Sequence, residues 1–159
     1  MAVAISPQLK DWDGAQTAVQ NADPVQRPFF VEAGIVIAAG DWVTINIATN
    51  SFGLGNSISP LDTGEATTTM PVGVATVAAA PSAVPPSSNP PGEWILVTTR
   101  GVAQASLSNA GIGVGEVLIP STTAGAADPS AAAAGEIQIG YCLEAAPTAA
   151  IVTCYVTCE

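Results

Sequence analysis

Apolar and polar residues alternate along several short stretches of the chain, and this period of two predicts β-strands. From residue 42 to residue 49, the branched aliphatic residues fall on one face and Thr44 and Asn46 on the other, as in a half-buried antiparallel strand. A second alternating run extends from Trp94 to Arg100, and Gly101 after it marks a bulge or a close backbone approach. The last run, residues 151–158, has four residues on one face: Val152, Cys154, Val156 and Cys158.

A hairpin pattern occurs twice. Residues 33–43 and residues 110–118 both start with Ala-Gly-Ile, and both reach a glycine followed by an acid, at Gly40-Asp41 and Gly115-Glu116. Such a glycine provides the positive φ that a tight reversal between strands needs. Each half then continues to an aliphatic-Gly strand, at residues 72–75 and at residues 139–142. Roughly eight or nine short strands without a long helix predict an all-β fold, a small β-barrel or sandwich built of two similar modules.

The first 31 residues differ from the rest of the chain. They alternate poorly and have no helical period, and the steps Asp23-Pro24 and Arg27-Pro28 favour extended backbone before each proline. We therefore divide the chain into an extended N-terminal arm, residues 1–31, and a β-barrel domain, residues 32–159. A disordered terminus is the alternative for the first segment.

Five side chains are candidate contacts with a neighbouring surface or subunit. Trp12, Phe29 and Phe30 would anchor the arm, because disordered segments are poor in aromatic residues. Arg27 adds a charge to the same segment. Arg100 is the one cation within the predicted barrel, and in a chain this acidic we expect it to pair with a carboxylate, within the subunit or across an interface.

Three segments lack strand patterns. Residues 50–71 are predicted to be a long loop, which in a compact domain is usually functional or part of an interface. Residues 81–92 contain five prolines and predict an exposed, polyproline-like spur. In residues 128–135, Asp128 suits a helix N-cap and Pro129 the first helical position, which predicts one or two helical turns.

The charge balance argues against two classes of partner. Thirteen acids face three bases, for a formal net charge of −10, so the chain has no basic surface for nucleic acid or for anionic membranes. Only 10% of the residues are charged, which is low for a solitary enzyme and is more typical of an assembly protein. The N-terminus resembles no signal peptide, and no run is long and apolar enough to span a membrane.

Candidate chemistry is sparse. The chain has no histidine, which removes Ser-His-Asp and Cys-His catalysis and the commonest metal ligand. Residues 111–115 have the glycines of a phosphate loop but lead into a predicted strand, and residues 62–65 lack calcium-loop spacing. We predict no catalytic residue, no metal site and no cofactor.

The three cysteines, Cys142, Cys154 and Cys158, do not form a metal-binding pattern. Cys154 and Cys158 lie on one face of a predicted strand, roughly 13 Å apart at about 3.3 Å per residue, which is too far for a disulfide. Cys142 is free to lie across from one of them. We expect all three to act mainly as small buried apolar residues.

Several glycine motifs of this chain, taken in order, resemble the small capsid cement, or decoration, proteins of tailed bacteriophages. The resemblance covers roughly residues 33–158, and residues 1–31 match no motif. The motifs are Gly34-Ile35-Val36-Ile37 with Gly40-Asp41-Trp42-Val43, Val72-Gly73-Val74-Ala75, Thr99-Arg100-Gly101-Val102-Ala103, Gly111 to Val117, and Ile139-Gly140-Tyr141-Cys142-Leu143.

The resemblance implies a compact barrel of the type called a β-tulip, without catalytic residues. Cement proteins are made in the host cytoplasm and sit on the outer surface of the virion, where they stabilise the capsid by bridging neighbouring major capsid proteins. They commonly act as trimers and sometimes as dimers. The partners implied are therefore the major capsid protein and further copies of the chain itself.

Two other classes of function remain open at this point. A head-fibre or cell-surface carbohydrate-binding module would need an exposed aromatic platform, for which Trp42 and Trp94 are candidates, although we expect both to pack in the core. A hydrolase would need a pair of carboxylates, and no such pair stands out in the sequence.

Overall fold

The computed structural model describes residues 24–31, 35–46, 57–62, 69–79, 93–131 and 136–158. These residues form nine strands and no helix, which confirms the predicted all-β fold. The strands are β1 (Val25–Val31), β2 (Trp42–Asn46), β3 (Ser57–Pro60), β4 (Thr69–Ala75), β5 (Glu93–Ser106), β6 (Val117–Pro120), β7 (Ala127–Pro129), β8 (Gly140–Cys142) and β9 (Ile151–Thr157).

Five strands close into a barrel, called here the first barrel. Their order is β1-β3-β2-β4-β5, and β1 pairs back onto β5. β1 runs parallel to β3 and antiparallel to β5, so both of its edges are hydrogen-bonded. Alternate residues of each strand point inward. The buried interior consists of Val31, Ile37, Val43, Ile58, Ala75, Ala79, Ile95 and Val97.

The remaining strands build a second unit, called here the second barrel. β5 is long enough to leave the first barrel, and its C-terminal half pairs with β9, followed by β8, β6 and β7. A parallel bridge between Leu107 and Ala127 joins the two ends of this unit. Its interior belongs to a second buried cluster that includes Ala105, Leu107, Ile112, Leu118, Ala127, Ile139, Cys142, Ala146, Val152, Cys154 and Val156.

The two glycine-acid turns have the same hydrogen bonds. Gly40 and Gly115 both have positive φ, +90° and +85°. In the first turn the Ala38 N–H donates to the Asp41 carboxylate (2.7 Å), and in the second the Gly113 N–H donates to the carboxylate of the equivalent acid (3.0 Å). The predicted turns are therefore confirmed, and the acid after each glycine stabilises its own turn. The predicted hairpins are wrong, because Ile37 and Ile112 before the turns pair with Ala79 and Ala146 and not with the strands that follow the turns.

The pairing beyond the turns shows that the two barrels are structural repeats. The Gly40 N–H donates to the Ala75 carbonyl, and the Gly115 N–H donates in the same way to Cys142. The bridge between Ile37 and Ala79 has its counterpart between Ile112 and Ala146. Ile112 is thus structurally equivalent to Ile37 and not to Ile35. The two Ala-Gly-Ile sequences, at residues 33–35 and 110–112, are therefore offset from the structural alignment by two residues.

The same equivalence extends to the strands. The pairs Val43↔Pro60 and Ile45↔Ile58 between β2 and β3 correspond to Leu118↔Pro129 and Pro120↔Ala127 between β6 and β7. The antiparallel pairing of β1 with β5 corresponds to that of the C-terminal half of β5 with β9. β5 is therefore the last strand of one barrel and the first strand of the next. The prediction of two similar β modules is confirmed at the level of individual hydrogen bonds.

Trp42 joins the two barrels. It lies on β2 and points out of the first barrel into the buried cluster of the second, where it is fully buried. Its indole N–H donates to the Ser106 carbonyl (3.1 Å), and its backbone N–H donates to the Gly125 carbonyl (2.9 Å). The prediction that Trp42 packs in the core is confirmed, and its place is the interface between the repeats.

The N-terminal boundary was predicted too late in the chain. Val25–Val31 was assigned to the arm but forms β1, and it closes the first barrel by pairing with β3 and β5. Its one proline, Pro28, does not prevent this, because a proline needs only to sit where no ladder hydrogen bond requires its nitrogen. Residues 1–23, the rest of the predicted arm, lie outside the described residues, as does the spur at residues 81–92.

Two further local predictions were wrong. The segment predicted as a long loop, residues 50–71, contains β3 and the start of β4. Only one aliphatic residue of β3, Ile58, points into the core, so the sequence gives little sign of this strand. Asp128 and Pro129 were predicted to start a helix but lie in β7, because they pair with Ile119 and Leu118 of β6.

Candidate functional site

The four candidate contact residues that the structure describes do not form one surface. Trp12 lies outside the described residues. Arg27, Phe29 and Phe30 lie on β1, where neighbouring residues point to opposite sides of the barrel wall. Phe29 packs against the interior of the first barrel, whereas Phe30 lies on the outer side. Arg100 is half-buried in the middle of β5, opposite Val25 and Thr157.

Arg27 lies at the open end of the first barrel. It is exposed and lines a cleft of about 420 Å³ together with Phe29, Val72, Thr99 and Cys158. The Thr99 hydroxyl donates to the backbone carbonyl of Val25 (3.3 Å), which ties β5 to β1 at this end. Among the lining residues that the structure describes, Arg27 is the one cation and most of the others are apolar. The cleft therefore suits contact with another protein surface.

Phe30 is 7% exposed and is not available as a free anchor. Its ring lies 5.6 Å from the ring of Trp94, the residue opposite it on β5, at an interplanar angle of 60°. Trp94 itself is 56% exposed, so the prediction that it packs in the core is wrong. It lies with Leu96, 46% exposed, on the outer face of β5, and these two residues form an apolar patch next to Phe30.

The outer face of the second barrel carries a larger apolar surface. Four residues lie in register across four neighbouring strands, because Val102 pairs with Tyr155, Tyr155 with Tyr141, and Tyr141 with Val117. Tyr141 is 40% exposed, and the other three are half-buried. Leu143 lies two residues beyond Tyr141 along the chain and is 43% exposed. Ile151 lies four residues before Tyr155, beyond the hydrogen-bonded pair of Gln104 and Thr153, and is 53% exposed. We call the four residues of the row, together with Leu143 and Ile151, the tyrosine face.

The structural repeat supplies a reference for this face. The corresponding row of the first barrel runs from Trp42 through Val74 and Thr98 to Gln26. In that row the tryptophan, the valine and the threonine are 0–1% exposed, and the first two belong to the buried cluster of the second barrel. Trp42 and Val74 of this row are therefore covered by the neighbouring repeat, whereas Gln26 at its end is exposed, and the matching residues of the tyrosine face lack such a cover.

Most of the carboxylates that the structure describes accept hydrogen bonds that stabilise turns and loops. Asp41 and Glu116 hold the two turns, and Glu144 accepts hydrogen bonds from the backbone N–H and hydroxyl of Thr153 (3.3 and 3.0 Å). Asp128 accepts from the hydroxyl of Ser108 and from the side-chain amide of Asn109, the latter at 2.8 Å. The hydroxyl of Ser130 donates to Glu136.

Asp41 is the described acid with a shifted pKa. Burial raises the pKa of its carboxyl above the usual 3.8, and the hydrogen bond from the Ala38 N–H opposes part of this rise. A Cβ atom added to Gly125 would lie 2.7 Å from the Asp41 carboxyl carbon, so the loop of the second barrel packs directly against it. The shift therefore arises from contact between the repeats.

The exposed aromatic residues are what the sequence analysis missed. Strict alternation would place Tyr141 on one face with Ile137, Ile139 and Leu143, but Ile139 is fully buried and Tyr141 is exposed. The alternation fails because Gly140 approaches the Tyr155 carbonyl closely, just as Gly73 approaches the Thr98 carbonyl in the first barrel. The shared aliphatic-Gly motif was the available signal for this irregularity.

Comparison of the sequence with known protein families and with curated proteins finds no match. Within the described ranges, no group of three or more His, Cys, Asp or Glu residues is arranged to hold a metal ion. Those ranges also contain no helix with the length and apolar character needed to cross a bilayer.

Proposed function

We propose that the chain is a bacteriophage capsid cement protein that binds the outside of the head shell and stabilises it by bridging neighbouring major capsid proteins. The observation that carries this proposal is the uncovered tyrosine face. In the first barrel, three of the four equivalent residues are buried, and two of them, Trp42 and Val74, pack into the buried cluster of the second repeat. The tyrosine face has apolar and aromatic side chains at the matching positions but is partly exposed, which is what a module that docks on another protein would present.

Composition and sequence resemblance support the same function. A chain with 10% charged residues and a net charge of −10 suits a protein whose surface is partly covered by partners and does not attract packaged DNA. The glycine motifs resemble those of phage cement proteins, and the two glycine-acid turns of that resemblance are corners of the two barrels. We expect the chain to associate with itself, as a trimer or alternatively as a dimer, and to lie on the virion surface.

The test is to purify virions from the source phage by density gradient and to measure by mass spectrometry the ratio of this chain to the major capsid protein. A fixed, near-stoichiometric ratio is expected. Heads made without the chain should then bind added wild-type protein, and Tyr141→Ser should weaken this binding. Val114→Ser is the matched control, because Val114 is 68% exposed and lies in a turn outside the tyrosine face. Absence of the chain from purified virions would refute the proposal.

A carbohydrate-binding module is the alternative, and the exposed Trp94 favours it. A tryptophan ring that is 56% exposed and has a tilted aromatic neighbour to hold it in place is a suitable platform for stacking a sugar. Glycan-array binding by the full chain that is lost in Trp94→Ala and kept in Val77→Ala would support this function. Val77 is a suitable control because it is a 50% exposed apolar residue outside the patch formed by Trp94 and Leu96.

A further inference from the structure

Cys142 and Cys154 lie directly opposite each other on β8 and β9. Both are fully buried, and both point into the core of the second barrel. The Leu143 N–H donates to the Thr153 carbonyl (2.9 Å), so the hydrogen bonds flank the cysteine pair and do not join its two members. The two cysteines therefore form a non-hydrogen-bonded pair.

This pair type has the geometry that a disulfide needs. Cα atoms of a non-hydrogen-bonded antiparallel pair are about 4.5 Å apart, and disulfides join Cα atoms separated by about 4.4–6.8 Å. The side chains are on the same side of the sheet because the residues are in register. The structural repeat places Ala75 opposite Val97 at the equivalent point of the first barrel, so the cysteines occupy ordinary core positions.

We propose that Cys142 and Cys154 form an intramolecular disulfide that joins β8 to β9 when the chain folds in the presence of a small-molecule disulfide oxidant. One protein thiolate attacks the oxidant and releases one small thiol, which leaves a mixed disulfide. The second protein thiolate attacks that mixed disulfide and releases the second small thiol. The two protein sulfurs lose two electrons, and the oxidant is reduced to two thiols.

The folded state disfavours the reaction kinetically but accommodates its product. Burial raises the pKa of the Cys154 thiol to about 12, and the neighbouring Cys142 adds to this effect. The thiolate is therefore scarce in the folded chain, and we expect the bond to form during folding or during local opening of β8, which has only three residues. The Cys142 thiol donates to the Glu144 carbonyl (2.8 Å), and on oxidation water can replace this donor because Glu144 is exposed.

Cys158 is the third thiol that could compete for a disulfide bond, and its position argues against a bond to either of the other two cysteines. It lies four residues beyond Cys154 on the same strand face, about 13 Å away at about 3.3 Å per residue. Its thiol donates to the Ile139 carbonyl (3.6 Å), away from the opposed pair.

The test is to refold the full chain in a buffer of reduced and oxidised glutathione, block free thiols with N-ethylmaleimide under denaturing conditions, and map the peptides by mass spectrometry. We expect one blocked cysteine, Cys158, and a linked Cys142–Cys154 peptide pair. Cys158→Ser should keep this bond. Three blocked cysteines, or a bond that includes Cys158, would overturn the proposal.

Thermal denaturation provides the second readout. The oxidised chain should melt roughly 5–10 °C above the reduced chain, because the bond closes a short loop in the unfolded state. The matched control is the double variant Cys142→Ala with Cys154→Val, which copies Ala75 and Val97 of the first barrel. Its Tm should not respond to oxidant. An equal response in this variant would show that the shift does not come from the pair.

Discussion

Gly140 offers a sharp test of the structural account, because it lies at a contact that both repeats contain. A Cβ atom added to Gly140 would lie 2.4 Å from the Tyr155 carbonyl oxygen and 3.1 Å from Cη2 of Trp42. The first of these neighbours is backbone on β9, and the second is a ring buried between the two barrels. Neither is the free end of a flexible side chain, so Gly140→Ala must displace β8 from β9 or move Trp42.

The cost of this change can be bounded. Overpacking a well-packed core typically costs about 1–3 kcal/mol. For a domain of this length, 1 kcal/mol corresponds to roughly 2–4 °C in Tm. Gly140→Ala should therefore lower Tm by roughly 2–12 °C, and by about 6 °C at the middle of both ranges. Gly113→Ala is the matched control, because its added Cβ would meet only the Glu116 side chain, at 3.7 Å or more.

Both variants can be compared with wild type by differential scanning calorimetry under reducing conditions. The control should melt within about 2 °C of wild type, since a surface substitution usually changes the free energy of unfolding by about 0.5 kcal/mol or less. If Gly140→Ala melts with the control, the close approach of β8 to β9 is not a constraint, and the reasoning about the aliphatic-Gly motif is wrong.

Three further predictions follow from burial and pairing. Burial raises the pKa of Asp41, so the folded state favours the protonated carboxyl. The stability that this protonation contributes is complete below pH 3.8 and is lost as the pH rises through the raised pKa. The Tm of Asp41→Asn minus the Tm of wild type should therefore increase between about pH 3 and pH 7. Trp42→Ala should cost about 3–5 kcal/mol in urea denaturation, whereas Trp94→Ala, at a 56% exposed site, should cost less than about 1.5 kcal/mol; equal costs would contradict the assigned burial. Removal of residues 1–23 should leave a cooperative thermal transition, and removal of residues 1–31 should abolish it because β1 is lost; a folded chain without residues 1–31 would refute the role of β1.

Local patterns were sufficient to predict much of the fold. Alternation placed the inward and outward faces of β9 correctly, with Val152, Cys154 and Val156 buried. The glycine-acid pairs located both turns, because positive φ is a local requirement of the backbone. The sequence left Cys142 free to lie across from either of the other cysteines, and the register places it opposite Cys154.

The patterns failed where an element depends on its neighbours. β1 contains a proline, Pro28, and the polar residues Gln26 and Arg27 near its start, and it is a strand because β3 and β5 both offer free edges to it. β3 has one core residue, Ile58, and is held by pairing on both sides. Trp94 and Trp42 are the same residue type in similar strands, yet one is exposed and the other is fully buried.

The sequence by itself determined the fold class, the turns, the two-fold repetition and the absence of histidine chemistry, since these follow from period, glycine placement and composition. The tertiary structure alone decided which face of each repeat is covered. That outcome depends on how one barrel packs against the other through Trp42, which no local pattern encodes. The proposed function depends on the tyrosine face. This face is the second barrel's equivalent of the surface around Trp42, and it remains partly exposed.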